Sequence, residues 1–208
     1  MKTTLFSVLF LLMTVVTVGC SDKHKCEELR LFRYLSGGKY YFEVCPNRVV
    51  IQVDEKATEN DIENAFRKNS SLQNFEISKM GNREFRMVHF RNSCRCEITQ
   101  LINQWECNDI VLHVGYVIID ETGRETAALT NQINVRLKDE NDFPILQQAL
   151  VPYDIDKIEQ AQFDSLSYLL VVSCFSAKSA LQIANELHET GLFHFASPNL
   201  LLFIRFGN

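Results

Sequence analysis

The stretch NRVVIQV at residues 47–53 decides the fold, because its pattern returns as NQINVRL at residues 131–137. The two stretches stand 84 residues apart, and at nearly the same offset LINQW at 101–105 falls on IANEL at 183–187. Identity between the copies is low, so the hydrophobic pattern carries the comparison. A period this long that occurs only twice indicates a duplicated domain and not a solenoid.

Four segments of the two copies have features typical of helices. Thr58, followed three residues later by Asp61, is typical of a capped helix start. Pro144 fits only the first turn of a helix. In the last segment, Ser176 is predicted to be the N-cap and Gly191 to end the helix. The apolar residues at helical spacing are Ile62, Ala65 and Phe66, then Ile98, Leu101, Ile102 and Trp105, and finally Ala180, Ile183, Ala184 and Leu187.

Strand-like alternation separates these helices, as at residues 133–138. Each copy therefore has the order strand, helix, strand, strand, helix, strand. This order predicts an α+β fold of two tandem ferredoxin-like (βαββαβ) units, with antiparallel sheets and helices on one face. We predict the first unit at residues 47–123 and the second at 124–208. Residues 20–46 are predicted to be a tether with one short strand at 40–44.

Residues 1–19 are predicted to be a signal peptide. The run from Leu5 to Val18 has no charge and is shorter than the roughly 20 residues of a transmembrane helix. The sequence TVGC at 17–20 resembles a bacterial lipobox, so Cys20 is predicted to be lipidated. The alternative is ordinary cleavage near Gly19, which would leave Cys20 as a free thiol or a disulfide partner. Lipidation would place the protein in the bacterial cell envelope, anchored to a membrane that we expect to be the outer one.

The formal net charge of −5 indicates a mildly acidic chain. Nucleic acids and anionic membrane surfaces both attract clustered Lys and Arg. We therefore expect no nucleic-acid partner.

Six further cysteines follow Cys20, and the sequence does not choose among their possible pairings. We expect Cys26 and Cys45 to form a disulfide, because both flank the same short segment. Cys174 lies in an apolar run and is expected to be a small buried residue. The cluster formed by Cys94, Cys96, Cys107 and His113 lacks the spacing of a structural zinc site, so we predict no metal and no cofactor.

The end of the second copy resembles a known family. Residues 131–202, which include ANELHETGLFHFASPN at 184–199, are similar to the N-terminal prosegments of bacterial subtilisin-family (S8) serine proteases, especially those of Bacteroidetes. Ser197 stands where an acidic residue is expected before the proline. The resemblance implies a ferredoxin-like fold whose exposed sheet face docks on the protease. It also implies that the extended chain end enters the substrate cleft.

The same resemblance implies which residues would touch a protease. The cleft-binding tail would be Phe203, Ile204, Arg205, Phe206, Gly207 and Asn208. The competing interpretation is that residues 199–206 are only the last strand. Glu159 and Asp164 would cap helix N-termini of the protease, or would be only solvated turn charges.

The chain lacks the G-x-S-x-G, P-loop, H-E-x-x-H and G-x-G-x-x-G motifs. We therefore predict no enzymatic activity and no catalytic residues. The resemblance favours a stand-alone lipoprotein that inhibits a subtilisin-like serine protease or assists its folding. The alternatives are a surface-anchored binding or scaffold lipoprotein without a protease partner, or the remnant of a truncated subtilase.

Overall fold

A computed structural model describes residues 31–35, 38–105 and 107–203. The predicted signal peptide, Cys20 and Cys26 lie outside these residues. The described residues form nine strands: β1 (Leu31–Leu35), β2 (Gly38–Val53), β3 (Phe75–Lys79), β4 (Phe85–Phe90), β5 (Val111–Ile119), β6 (Glu125–Arg136), β7 (Ile155–Ala161), β8 (Asp164–Val172) and β9 (Phe195–Leu202). They also form four α-helices: α1 (Glu59–Asn69), α2 (Arg95–Asn103), α3 (Phe143–Leu150) and α4 (Ala180–Glu189).

The two halves of the chain repeat one topology. The first unit runs from β2 to β5 with the sheet order β3-β4-β2-β5, and the second runs from β6 to β9 with the order β7-β8-β6-β9. In both, the last strand pairs with the first, as in a ferredoxin-like fold, and every pairing is antiparallel. The predicted fold class is therefore confirmed.

The two units share one sheet, which the repeat pattern did not predict. β5 and β6 form an antiparallel hairpin in which Val117 pairs with Ala128. The tight turn between them is held by the Asp120 carboxylate, which accepts hydrogen bonds from the backbone N–H groups of Thr122 and Arg124 at 2.9 and 3.0 Å. Gly123 lies in this turn at φ 78°, so the predicted division at 123/124 falls within it.

The N-terminal segment differs from the predicted tether. Residues 31–35 form β1, and residues 40–44 belong to the 16-residue strand β2 and not to a separate short strand. The register of β2 with β5 shifts between Val44 and Val49, and Pro46 lies within this interruption. β1 also contacts α4, where the Tyr34 hydroxyl donates a 2.6 Å hydrogen bond to Glu189.

Most predicted helix ends are confirmed. Thr58 and Asp61 form a reciprocal capping box at the start of α1, and Gly191 has φ 66° just after α4. The predicted cap at Ser176 is wrong, because Ser179 caps α4. The Ser179 hydroxyl accepts from the backbone N–H of Gln182, whose side chain bonds back to the backbone of Ser179.

Each unit has its own core beneath its helices. The first contains the fully buried residues Val49, Ile51, Ile62, Phe66 and Ile98, and the second contains Ile133, Val135, Leu146, Ile183 and Ala184. A further cluster lies on the other sheet face, as the alternation of side chains along β2 requires; it contains Cys45, Val50, Phe85, Val117 and Ala128. Among the described helices, none is long and apolar enough to span a bilayer.

Candidate ligand cavity between the two units

A cavity of about 360 Å³ lies where the two units meet. Its walls come from α2, the loop after α2 and β5 in the first unit, and from β6, the end of β8 and the first turn of α4 in the second. Cavities of this size hold small organic ligands in proteins. Apolar side chains that line it include Ile102, Leu112, Val114, Leu129 and Leu181.

A disulfide bridges the two units beside this cavity. Cys107, in the loop after α2, is bonded to Cys174, in the turn after β8, and both residues line the cavity. The expectation that Cys174 is a buried apolar residue is therefore wrong, because its strand ends at Val172 and its side chain is exposed. Cys94 and Cys96 are disulfide-bonded as well.

The expected disulfide between Cys26 and Cys45 is also wrong. Cys45 has a free, buried thiol that donates to the side-chain oxygen of Asn47 at 3.1 Å. The thiol belongs to the apolar cluster on the sheet face opposite the two unit cores, and burial raises its pKa. Cys26 lies outside the described residues.

The cavity concentrates polar atoms that have no hydrogen-bond partner. Six buried side-chain atoms of the described residues lack one, and three of the six belong to residues that line this cavity. They are Trp105 Nε1, His113 Nε2 and Asn131 Oδ1. A buried polar atom without a partner costs about 1–3 kcal/mol, so three in one place need an explanation.

The indole of Trp105 and the amide of Asn131 are held by other contacts. Trp105 follows the end of α2 and stacks on Phe66, with ring centroids 5.1 Å apart. The side-chain amide nitrogen of Asn131 donates to the backbone carbonyl of Val172 at 3.3 Å. The side-chain oxygen of Asn131 has no hydrogen-bond partner. Among the residues that line the cavity, the first unit thus contributes an unpaired indole donor and the second an unpaired amide acceptor, and both atoms are occluded from solvent.

His113 adds a neutral ring. Burial lowers its pKa to about 4, and the nearby Leu129 carbonyl, which does not meet hydrogen-bond geometry at Nε2, partly opposes this shift. The ring is therefore uncharged at neutral pH.

Gly115 allows the two units to approach each other. The carbonyl oxygen of Leu129 occupies the space in which a Cβ at position 115 would lie, and His113 Nε2 would be 3.1 Å from that Cβ. The register of β6 with β9 shifts between Leu129 and Ile133, immediately after this carbonyl. Glycine is thus the residue that lets β6 lie against β5 at this wall.

Among the described residues that line the cavity, Lys178 carries a formal charge. Its ammonium is paired with the carboxylate of Glu186 at 2.7 and 2.8 Å and lies 5.4 Å from the ring centroid of Tyr153. The Tyr153 hydroxyl donates to the same carboxylate at 2.6 Å. This network neutralises Lys178, so the described residues that line the cavity present no unpaired charge to a ligand.

Of the predicted protease-binding residues, the structure describes Phe203, Glu159 and Asp164, and these three do not line the cavity. Phe203 packs on the cluster around Val50, and its N–H donates to the carbonyl of Thr126 at 2.9 Å, so it extends the pairing of β9 with β6. Phe203 therefore belongs to the sheet and not to a free tail. Residues 204–208 lie outside the described residues.

The two predicted acidic residues are engaged within the second unit. Asp164 accepts from Arg136 Nε at 2.9 Å and from the Ser167 hydroxyl at 2.7 Å. Glu159 pairs with Lys157 at 2.5 Å. Their role in capping a partner's helices remains a prediction. The described residues contain no group of three or more His, Cys, Asp or Glu side chains that could hold a metal ion.

Comparisons with known proteins identify similar folds and no family. No protein-family model and no curated protein matches the chain. A Sxl-lethal protein–RNA complex is 13% identical, with 77% of this chain and 100% of that chain covered and a TM-score of 0.31. The N-terminal three RNA-binding domains of the yeast splicing factor Prp24 are 10% identical, with 86% and 75% covered and a TM-score of 0.27. A protein described as a glycine cleavage system transcriptional repressor is 13% identical, with 76% and 98% covered and a TM-score of 0.24.

These comparisons correct one expectation. The partners expected from the sequence were a subtilisin-like protease and a membrane, with nucleic acid excluded, whereas two of the structures named above are a protein–RNA complex and a set of RNA-binding domains. The expected set of partners is therefore withdrawn. TM-scores below 0.5 carry no argument about function, so we do not assign RNA binding to this chain from them. The resemblance to subtilase prosegments stays a prediction.

Proposed function

We propose that this protein is a binding protein without enzymatic activity, and that the cavity between its two units holds a small, neutral ligand. One observation carries the proposal: half of the unpaired buried polar side-chain atoms of the described residues belong to residues around a single cavity. Such atoms are costly unless a ligand or ordered water pairs with them. Binding sites typically combine an apolar wall with a few polar groups that orient the ligand.

The position of the cavity supports this proposal. Its polar atoms come from both units, since Trp105 and His113 lie in the first and Asn131 in the second. The disulfide between Cys107 and Cys174 fixes the two walls relative to each other. Because these walls are already fixed, the protein loses little conformational entropy when a ligand enters the cavity. This pre-organisation favours binding.

Fluorescence of Trp105 tests the proposal, because this residue is the single tryptophan of the chain. The protein is titrated with a set of neutral, monocyclic aromatic and heteroaromatic fragments while tryptophan emission is recorded. We expect saturable changes for some fragments. Thr99→Phe, which places a ring in the cavity, should abolish these changes.

The matched control is Gln100→Phe, which adds the same ring on the solvent-exposed side of α2. This variant should bind the fragments as the unmodified protein does. If no fragment gives a saturable change that Thr99→Phe removes and Gln100→Phe preserves, the proposed function is wrong.

A further inference from the structure

We propose that Cys20 and Cys26 are the disulfide partners of Cys94 and Cys96, so that two bridges attach the N-terminal segment of the chain to the start of α2. Cys20 then carries a disulfide in place of a lipid, which is one of the alternatives that the sequence left open. These bridges are independent of any ligand in the cavity between the units.

The states of the other cysteines limit the possible pairings. The chain has seven cysteines, and the structure describes five of them. Two of the five form the bridge beside the cavity, and a third is a free thiol. The other two, Cys94 and Cys96, are both disulfide-bonded. Within one chain this leaves two arrangements: a bond between Cys94 and Cys96, or two bonds to the remaining cysteines, Cys20 and Cys26.

The geometry at the start of α2 disfavours a bond between Cys94 and Cys96. Cys94 is the N-cap, with extended dihedral angles of φ −122° and ψ 169°, and Cys96 is the second residue of the helix. The carboxylate of Glu97 holds the N-cap in place, because it accepts a hydrogen bond from the backbone N–H of Cys94 at 2.9 Å. Residues two positions apart on a helix do not face each other. A disulfide needs its two Cβ atoms within about 4.5 Å, so two bonds to another segment fit this site better.

The strand β1 begins close to the start of α2. It runs antiparallel to β2 with Leu31 opposite Phe42, so the chain reaches Leu31 from the side of Glu43. The carboxylate of Glu43 accepts a hydrogen bond from Arg95 Nη2 at 3.4 Å. Arg95 stands between the two bonded cysteines of α2. The chain that precedes β1 therefore meets these cysteines if it continues in the direction of the strand.

The cavity brings the same two elements together. Leu31 and Thr99 both line it, so the first residue of β1 lies near this face of α2. Cys96 precedes Thr99 by three residues, a spacing that places two side chains on the same face of a helix. Cys26 is five residues before Leu31, and a chain of five residues spans up to about 18 Å. This length can bring Cys26 to the helix face that carries Cys96.

Each bridge forms by oxidation of two thiols. The two S–H groups lose two protons and two electrons as one S–S bond forms. A protein disulfide oxidant accepts them by thiol–disulfide exchange and becomes a dithiol. The bridge between Cys107 and Cys174 already requires an oxidising compartment. A lipid anchor would occupy the sulfur of Cys20 as a thioether, so this atom cannot hold a lipid and a disulfide together.

Peptide mapping without reduction tests the pairing. The full chain is exported by a Gram-negative bacterium with its own N-terminal residues, free thiols are blocked with iodoacetamide, and tryptic peptides are identified by mass spectrometry. Basic residues separate the cysteines, because Cys26 falls in peptide 26–30, Cys94 in 92–95 and Cys96 in 96–124. We expect peptide 26–30 to be linked to one of the other two, and the peptide that contains Cys20 to be linked to the remaining one. Either order supports the proposal.

The number of free thiols under denaturing conditions is a second readout. We expect one per chain, that of Cys45. Cys26→Ser should raise the number to two, because it releases the partner of Cys26. The matched control Cys45→Ser should lower it to zero. The peptide map of the unmodified protein needs no variant, so it decides the pairing even if Cys26→Ser folds poorly.

Several outcomes overturn the proposed pairing. One is a direct link between peptides 92–95 and 96–124 through Cys94 and Cys96. Another is a bond between Cys20 and Cys26. A Cys20 peptide that carries a diacylglyceryl group also overturns it. In that case two free thiols should be counted, because Cys26, Cys94 and Cys96 are an odd number. Fragment binding in the cavity is measured separately, so failure of the pairing leaves the proposed binding function untouched.

Discussion

The backbone carbonyl of Leu129 lies directly over Gly115, in the space that any larger side chain at position 115 would need. Gly115→Ala would push this carbonyl away and separate β6 from β5 next to the cavity. Overpacking of this kind costs about 1–3 kcal/mol, and here the obstacle is backbone and not a flexible side chain. We expect the free energy of unfolding in urea to fall by at least that amount.

Gly81→Ala is the control for this change, because nothing lies within 4 Å of a Cβ at position 81. Its free energy of unfolding should stay within about 0.5 kcal/mol of the unmodified protein. Equal stability of the two variants would show that Leu129 does not approach Gly115 in solution.

The bridge between Cys107 and Cys174 should stabilise the protein strongly, because these residues are 67 positions apart. Closing a loop of this length removes conformational entropy from the unfolded chain worth about 4 kcal/mol at room temperature. The double variant Cys107→Ser/Cys174→Ser should therefore unfold at a clearly lower urea concentration. Cys45→Ala, which changes a free thiol, should not alter the number of disulfides found by thiol titration under denaturing conditions. A double variant as stable as the unmodified protein would contradict the assigned pairing.

Local sequence signals predicted the parts of the fold that depend on a few neighbouring residues. The capping box of Thr58 and Asp61 and the left-handed Gly191 are set by residues close in sequence, and both are confirmed. Ser176 and Ser179 are both serines before the same helix. Ser179 is distinguished as the cap by Gln182, three residues later, because the two residues form reciprocal hydrogen bonds.

Long-range relations could not be predicted in the same way. The β5–β6 pairing that joins the sheets and the Cys107–Cys174 bridge both connect the two halves of the duplication, so neither appears in a pattern that treats each half separately. The cavity does not appear in such a pattern for the same reason. The helical spacing predicts a helix that includes Trp105, and the repeated stretch at residues 131–137 predicts a strand that includes Asn131. Their shared role depends on how the two units pack.

The stability of the protein should depend on pH through His113. Its folded-state pKa of about 4 lies below the ordinary value of 6.5, so the unfolded chain binds a proton more readily. The stabilisation is complete above pH 6.5 and is lost as the pH falls toward 4. His113→Gln should reduce the slope of unfolding free energy against pH in this window by up to about 1.4 kcal/mol per pH unit. The exposed His194→Gln serves as control, and a slope unaffected by His113→Gln would contradict the burial of this ring.

Tyr153 should titrate at a higher pH than an ordinary tyrosine in spectrophotometric measurements. Burial, together with the hydrogen bond to the carboxylate of Glu186, raises the pKa of Tyr153 to about 12 from an ordinary value of 10. The folded state thus holds this proton more firmly. The resulting stabilisation is complete below pH 10 and is lost as the pH rises toward 12.

Tyr153→Phe should remove the step near pH 12 from the tyrosinate absorbance, and Tyr40→Phe, at an exposed ring, should leave that step in place. Glu186→Gln should move the step to lower pH without restoring the ordinary value, because burial is the larger cause of the shift. A step that does not move in Glu186→Gln would mean that the negative charge of Glu186 does not contribute to the raised pKa of Tyr153.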